Sequence, residues 1–355
     1  MTKNKILFVL LIFVPITVIT NYLHLSSNLV FVLSIFAIVP LAALIAETTE
    51  AIASRIGPTF GGLLNATFGN LTEMVVSIIA LKAGLIEVVK ASILGAVIAN
   101  LLLALGLAMF LGGLRFKEQK FHSTIARMNA SALLLSVLVL LTPSAIHLTS
   151  SGLSDIKLVH FSYAASLLLL IFYGLNLFFF SKNFRSSEIH LLESPELDVQ
   201  RTSINIPKLV GVLFVLTIML VVISEILVGN LEETVKTAGF TDLFTGTFLL
   251  PLFAGIVEYI SCINSAMKNQ MDLAVSIAIG STLQITLFVV PVLFLIAKFM
   301  GVPLVLEFNV FSMFAAVSTV LIINSISDDG ESNWLEGILL LIFYAVLGFA
   351  FYLHS

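Results

Sequence analysis

The sequence is poor in charge, in cysteine and in paired histidines, and each shortage removes a class of function. Asp, Glu, Lys and Arg make up only 11% of the 355 residues, against about 25% in soluble domains. A water-soluble surface has too little to be built from. The single cysteine, Cys262, excludes an intrachain disulfide and a cysteine-rich metal site. The six histidines show no paired spacing along one helix face, so a histidine-held metal has little support. No HExxH run and no nucleophile–base pair is present, which argues against an intramembrane enzyme. A net charge of −4 offers no electrostatic footprint for nucleic acid. Nothing in the chain calls for a resident cofactor.

What the sequence has instead is apolar length. Hydrophobic residues are 59% of the chain and its mean hydropathy is +1.11. About 20 apolar residues cross a bilayer as a helix, the one open-chain form that satisfies its own backbone in lipid. Eleven apolar segments can be counted: 6–23, 28–53, 60–81, 85–113, 124–144, 158–181, 208–228, 241–267, 271–299, 304–324 and 333–353. The expected fold is therefore an all-α integral membrane protein of about eleven transmembrane helices. The first segment resembles a signal peptide, but no small-residue cleavage site follows it, and it reads as a retained first helix. Segments 60–81, 85–113, 241–267 and 271–299 are rich in Gly, Asn, Ser and Thr, as broken or closely packed helices are.

Lys and Arg set the expected orientation. With the amino terminus inside, inner segments hold twelve of them and outer ones five. The carboxy terminus then lies outside. The short ends favour a prokaryotic plasma membrane. The one long polar stretch, 182–207, carries Glu188, Glu193, Glu196 and Asp198 and faces the cytoplasm on this topology. It reads as a solvated acidic linker, with a cation-sensing segment as the alternative. It separates helices 2–6 (28–181) from helices 7–11 (208–355), leaving 1–27 as an extra first helix.

The two halves repeat. With Glu73 aligned on Glu258, Glu47 and Glu232 each lie 26 residues before, and Glu87 and Asp272 each lie 14 after. Gly95 and Gly280 each lie 22 after. Five helices per repeat is an odd number, so the second copy enters the membrane from the opposite side. Inverted repeats of this kind are a signature of secondary transporters, with the site near the midplane where they meet.

Glu73 and Glu258 sit inside apolar segments, where a carboxylate costs roughly 2.5–3.5 kcal/mol on the insertion scale. Repeat symmetry predicts that they face each other. Two close carboxylates cannot both stay ionised without a cation. The pair can hold a hard divalent cation or protons, but not both, which is the chemistry of exchange. Hard cations such as calcium take several oxygen ligands. Asn70, Ser77, Ser281 and Gln284 are placed to supply them, with carbonyls freed by helix breaks at Gly69, Gly95, Gly255 and Gly280. The alternative is that the two glutamates only tie helices together. Asn65, Thr67, Asn100 and Asn269 fit helix packing better than ion contact. Glu47, Glu50 and Glu232 lie near segment ends and fit either a cation vestibule or solvated ends. Glu225 lies deeper and is a candidate proton-linked group. Cys262 stands four residues after Glu258, as Ser77 stands after Glu73, and suits a structural role, since a thiol is a poor calcium ligand.

The run GGLLNATFGNLTE, Gly61 to Glu73, closely resembles the first signature of the cation/proton exchangers, the calcium/proton antiporters of the wider calcium/cation antiporter superfamily. KNQMDLAVSIAIGSTLQITLFVVP, Lys268 to Pro291, is similar to the second. The resemblance implies ten core helices in two inverted repeats plus the first helix, and alternating access. It also implies that Glu73 and Glu258 bind calcium or protons, with Asn70, Ser281 and Gln284 accompanying them. The chain departs from the pattern as well. Where the second signature reads GNAAEH, this chain reads GIVEY, which puts the amide position at Ile256 and the histidine at Tyr259. A serine often found after the helix-break glycine of the first half is Ala96. The expected function is a proton-driven antiporter exporting calcium or a related cation. Sodium/calcium exchange on the same fold and a passive cation channel are the alternatives, and a homo-oligomer stays open.

Overall fold

The computed structural model describes residues 7–56, 58–150, 155–183, 206–302 and 304–354. Most of the acidic stretch 182–207 lies outside the described residues. The helices are α1 (Phe13–Tyr22), α2 (Ser27–Ile56), α3 (Pro58–Gly69), α4 (Leu71–Lys82) and α5 (Ile86–Phe116). They continue with α6 (Ser123–Thr149), α7 (Asp155–Asn183), α8 (Ile206–Ala238) and α9 (Asp242–Ala254). The last are α10 (Ile256–Met267), α11 (Met271–Phe299), α12 (Val310–Ile326) and α13 (Trp334–Leu353). Every apolar segment of the sequence carries helix. Among the described residues seven helices are long and apolar enough to cross a membrane, and the bent pair α9–α10 makes an eighth. Large apolar side chains such as Phe214, Phe179 and Phe349 stand exposed along them, as lipid-facing residues do. This is a multi-pass integral membrane protein.

The chain forms two compact units, Met1–Gly84 with Asn176–Thr241, and Leu85–Leu175 with Asp242–Ser355. Each draws on both sequence halves. In the first unit α2 and α8 pack along one another, α1 joins them and α4 lies against α8. Phe13 stacks on Phe36, and Asn230 donates to Asn21.

In the second unit α5 crosses α9 and runs beside α13 at glycines. A Cβ on Gly95 would stand 2.3 Å from the Thr247 carbonyl oxygen, and one on Gly337 would stand 2.2 Å from the Phe110 nitrogen. Small residues let backbones approach in lipid, where packing replaces the hydrophobic effect as the glue. The helix ends sort into two sets. At one end, strands β1 (Glu118–Lys120) and β2 (Glu331–Asn333) pair antiparallel. There Gln119 donates to the Ala266 carbonyl and to Asn269, Arg115 donates to the Met267 carbonyl, and Arg127 pairs with Asp328 at 3.0 Å. Asn333 caps α13 in a reciprocal capping box with Glu336. At the other end of α6, His147 meets Glu307 at 2.6 Å.

Residues 304–309 correct one expectation. The segment 304–324 does not begin as helix: α12 starts at Val310, capped by the Asn309 side chain. The residues before it are non-helical, with Leu304, Leu306 and Phe308 buried, so their backbone groups need partners. Two hydroxyls supply them. Ser144 donates to the Leu306 carbonyl at 3.0 Å and accepts from the Phe308 N–H at 2.8 Å, while Ser162 accepts from the Leu306 N–H. Ser144→Ala leaves a buried donor and acceptor unmet and is expected to cost about 1–3 kcal/mol for each. Thr142→Ala, which removes an exposed bond to the carbonyl four residues back, is expected to be near neutral. Thermal unfolding in detergent compares the two, and equal effects would show that the hydroxyl does not hold the segment.

Candidate functional site

The carboxylates of Glu73 and Glu258 lie in different units, and each has the same local setting. In the first unit, the apolar segment 60–81 is broken at Asn70, which ends α3 and opens α4. Asn70 has φ −106° and ψ 27°, outside helical geometry, and is buried at 2% exposure. Glu73 follows in the first turn of α4. In the second unit, Gly255 ends α9 and opens α10, with φ −86° and ψ 11°. The two helices bend by 58° there. Glu258 follows in the first turn of α10. The physical reason for the breaks is now visible. A half-helix beginning inside the membrane points its unsatisfied N–H groups and positive dipole end at a carboxylate in its first turn. The break lowers the cost of burying the charge and supplies the polarity that a continuous helix lacks.

This setting corrects the placement of the missing amide. Asn70 stands three residues before Glu73, and the residue three before Glu258 is Gly255, not Ile256. Ile256 is already the first residue of α10. Tyr259, buried at 5% exposure, turns back across the break and donates its hydroxyl to the Pro251 carbonyl at 2.7 Å.

Gly95 and Gly280 do not break their helices. Both lie within continuous stretches, 86–98 and 271–284, and each stretch runs into a wide π turn, Ala99–Ala104 and Ile285–Val289. The two turns are separated in sequence as Glu73 and Glu258 are, to within one residue. A third π turn, Thr245–Leu249, carries Thr245 and Thr247, both fully buried. Such turns concentrate at functional sites. The threonines were missed in the sequence because they sit singly in an apolar run.

Ser77, four residues on from Glu73, is buried at 8% exposure on the same helix. In the second unit Ser281 and Gln284 are half-buried on α11. Cys262 donates its thiol to the Ala274 carbonyl at 3.2 Å, tying α10 to α11. Asn269 accepts from Gln119, a packing contact. Asn100 lies in the first π turn, buried at 3% exposure.

The outer carboxylates depart more from expectation. Helix α8 runs on to Ala238, so Glu232 is inside it rather than at its end, and it pairs with Lys236 at 2.6 Å. Glu225 is exposed, on the side of α8 facing Lys82, 3.8 Å away. Depth along an apolar run does not say which face a residue takes, and Glu225 is not a buried proton site. Glu47 is half-buried and Glu50 exposed, both within α2. Among the described residues no three His, Cys, Asp or Glu side chains cluster to hold a metal ion.

Comparison with known proteins places this geometry in context. The sequence profile described as sodium/calcium exchanger protein matches residues 26–182 and 208–353, nearly all of the chain outside the first helix and the acidic stretch. A Ca(2+)/H(+) antiporter of Aphanothece halophytica is 47% identical, covering 100% of this chain and 98% of its own length. One of Synechocystis sp. is 45% identical over 99% of this chain and 98% of its own. The crystal structure of the Ca2+/H+ antiporter protein YfkE superposes with a TM-score of 0.84 at 34% identity, covering 99% of this chain and all of that one.

Proposed function

We propose a proton-driven antiport cycle for this chain, which belongs to the sodium/calcium exchanger protein family. The carrying observation is the repeated local setting: an interrupted helix in each half, with Glu73 or Glu258 in the first turn after the interruption. Calcium is the proposed cargo, because relatives covering the full chain at 45–47% identity carry the name Ca(2+)/H(+) antiporter. The sequence resemblance to the cation/proton exchangers points the same way.

In this reading the chain crosses the membrane eleven times, as two inverted five-helix repeats after a first helix. Glu73 and Glu258 hold either cation or protons, and alternating access carries each load one way. Asn70, Ser77, Ser281 and Gln284 add neutral oxygens. Protons entering down their gradient neutralise the carboxylates and release the cation. The repeat-matched π turns and helix breaks support two related halves. The amino terminus is proposed to be cytoplasmic and the carboxy terminus outside, in a prokaryotic plasma membrane. In support, the end of the second unit that carries β1 and β2 holds Arg115, Lys117, Lys120, Arg127 and Lys268, against Lys90, Lys157 and Lys298 towards the other ends of these helices.

Everted vesicles with an imposed inside-acid pH gradient test the reading. Calcium is expected to discharge the gradient saturably, strontium more weakly and sodium not at all. Calcium movement driven by a sodium gradient without a proton gradient would make the chain a sodium/calcium exchanger. Unsaturable flux with no counter-ion would make it a channel. The two carboxylates also fix the pH trend. As pH falls below the carboxylate pKa the site becomes protonated, so the apparent calcium affinity is expected to drop there by up to about tenfold per pH unit for each competing proton. A KM that stays independent of pH down to the acid limit of the folded protein would exclude competition at one site.

A further inference from the structure

The two helix breaks are filled differently. In the first half the interruption is Asn70 and the residue after the carboxylate is Met74; in the second they are Gly255 and Tyr259. A Cβ added at Gly255 would stand 2.7 Å from the Tyr259 hydroxyl oxygen, 2.8 Å from Cζ and 2.9 Å from Cε1. No side chain fits there while the phenol is in place. The hydroxyl in turn donates to the Pro251 carbonyl, which also accepts the Gly255 N–H at 3.0 Å. Ring and glycine thus form one unit. The phenol fills the volume a side chain at 255 would need, and its hydroxyl adds a second donor to a carbonyl in the last turn before the break.

We propose that the Gly255–Tyr259 pair sets cation selectivity in this chain, by taking the place that an amide side chain holds in the first half and so removing one neutral oxygen ligand beside Glu258. The inference rests on the reading that Glu258 binds the transported cation. It does not follow from a structural role alone, since Met74 shows that the position after the carboxylate needs no hydroxyl for the half-helix to form. Coordination number is one of the means by which oxygen sites choose among hard cations. A cation here would keep a water where an amide would otherwise bind. Discrimination against ions that dehydrate reluctantly, such as magnesium, is then weaker than the first half's ligands alone would give.

The test transplants the first half's pair onto the second. Gly255→Asn alone is expected to lose folded protein, because the amide meets the phenol. Tyr259→Met alone is expected to fold and to transport with a KM close to the starting one. Gly255→Asn with Tyr259→Met is expected to recover folding, lower the KM for calcium roughly tenfold and raise calcium-over-magnesium preference by a similar factor. The maximal rate stays level or falls as release slows. If Gly255→Asn alone folds and transports normally, the phenol does not occupy that space and the proposal fails. If the double variant folds with unchanged KM and selectivity, the position does not reach the cation, and the proposal fails again. Should the double variant not fold, Gly255→Ser with Tyr259→Met gives the second reading. It places a smaller neutral oxygen in the same space and is expected to shift the calcium-to-magnesium KM ratio in the same direction, at least several-fold; a changed thermal midpoint with an unchanged ratio would mark a structural role and overturn the proposal. Glu258→Gln is run alongside. Normal transport in that variant would defeat the reading of the site itself rather than the selectivity pair.

Discussion

Replacing either Glu73 or Glu258 with glutamine is expected to reduce calcium-driven discharge of a pH gradient to the level of empty vesicles, while the protein still inserts and folds. Glutamine keeps the shape and the hydrogen-bonding oxygen. It loses the charge that holds a divalent ion and the proton that exchanges for it. Both half-reactions fail together, so the loss is expected to be complete rather than a shift in KM. Folding is expected to survive because a neutral amide is cheaper to bury than a carboxylate. The first turn of α4 or α10 keeps a side chain able to meet its N–H groups. The Glu→Asp variants sharpen the test, since they keep the charge and retract it by one methylene; they are expected to retain exchange with weakened calcium affinity. Proton-coupled uptake at normal rate in either glutamine variant would mean that the exchanging group lies elsewhere. Glu225 and Glu232 provide the contrast. Both are exposed and pair with Lys82 and Lys236, so their glutamine variants are expected to stay within about twofold of the parent rate, as exposed ion pairs contribute little.

The contrast between these two sets of carboxylates shows what the sequence could and could not reveal. Glu73 and Glu258 stand out as candidates because a carboxylate within an apolar run is costly and needs a reason, and because the same spacing recurs around both. The apolar runs themselves located every helix among the described residues. Which face a residue takes was not legible: Glu225 lies mid-helix, yet it points at Lys82 instead of into the unit. Hydropathy also cannot tell a buried extended strand of chain from a buried helix. Residues 304–309 were therefore read as helix, although the hydroxyls that make their non-helical form tolerable, on Ser144 and Ser162, come from distant helices. The register of the second break was off by one residue for a related reason. Glycine signals a break, but only the backbone shows that Gly255 itself occupies Asn70's place, with Tyr259 folded over it.

Glycine is also where one sequence signal conceals two physical situations, and these lead to the second large effect. Gly95 and Gly280 are matched landmarks of the repeat, and both were expected to break their helices. Neither does, and their surroundings differ. The Cβ of an alanine at 95 would fall 2.3 Å from the Thr247 oxygen and 2.6 Å from its Cα, both backbone atoms that cannot rotate away. Gly246, on the same stretch of α9, is pressed against the Val88 carbonyl at 2.4 Å in the same sense. The α5–α9 crossing is a backbone-to-backbone contact that exists only because both helices present glycine. At Gly280 nothing lies within 4 Å of the added carbon. Gly95→Ala is therefore expected to force α5 and α9 apart at a cost of about 1–3 kcal/mol. Gly95→Val, which adds bulk at the same contact, is expected to leave little folded protein in the membrane. Gly280→Ala is expected to fold as well as the parent, since alanine removes a helix cost of up to about 1 kcal/mol and meets no neighbour. Thermal midpoints and the monodisperse fraction on size-exclusion chromatography in detergent decide the matter. Equal tolerance of alanine at both positions would mean that the α5–α9 crossing is looser than the structure has it. Equal intolerance would mean that Gly280 meets close contacts elsewhere in the cycle.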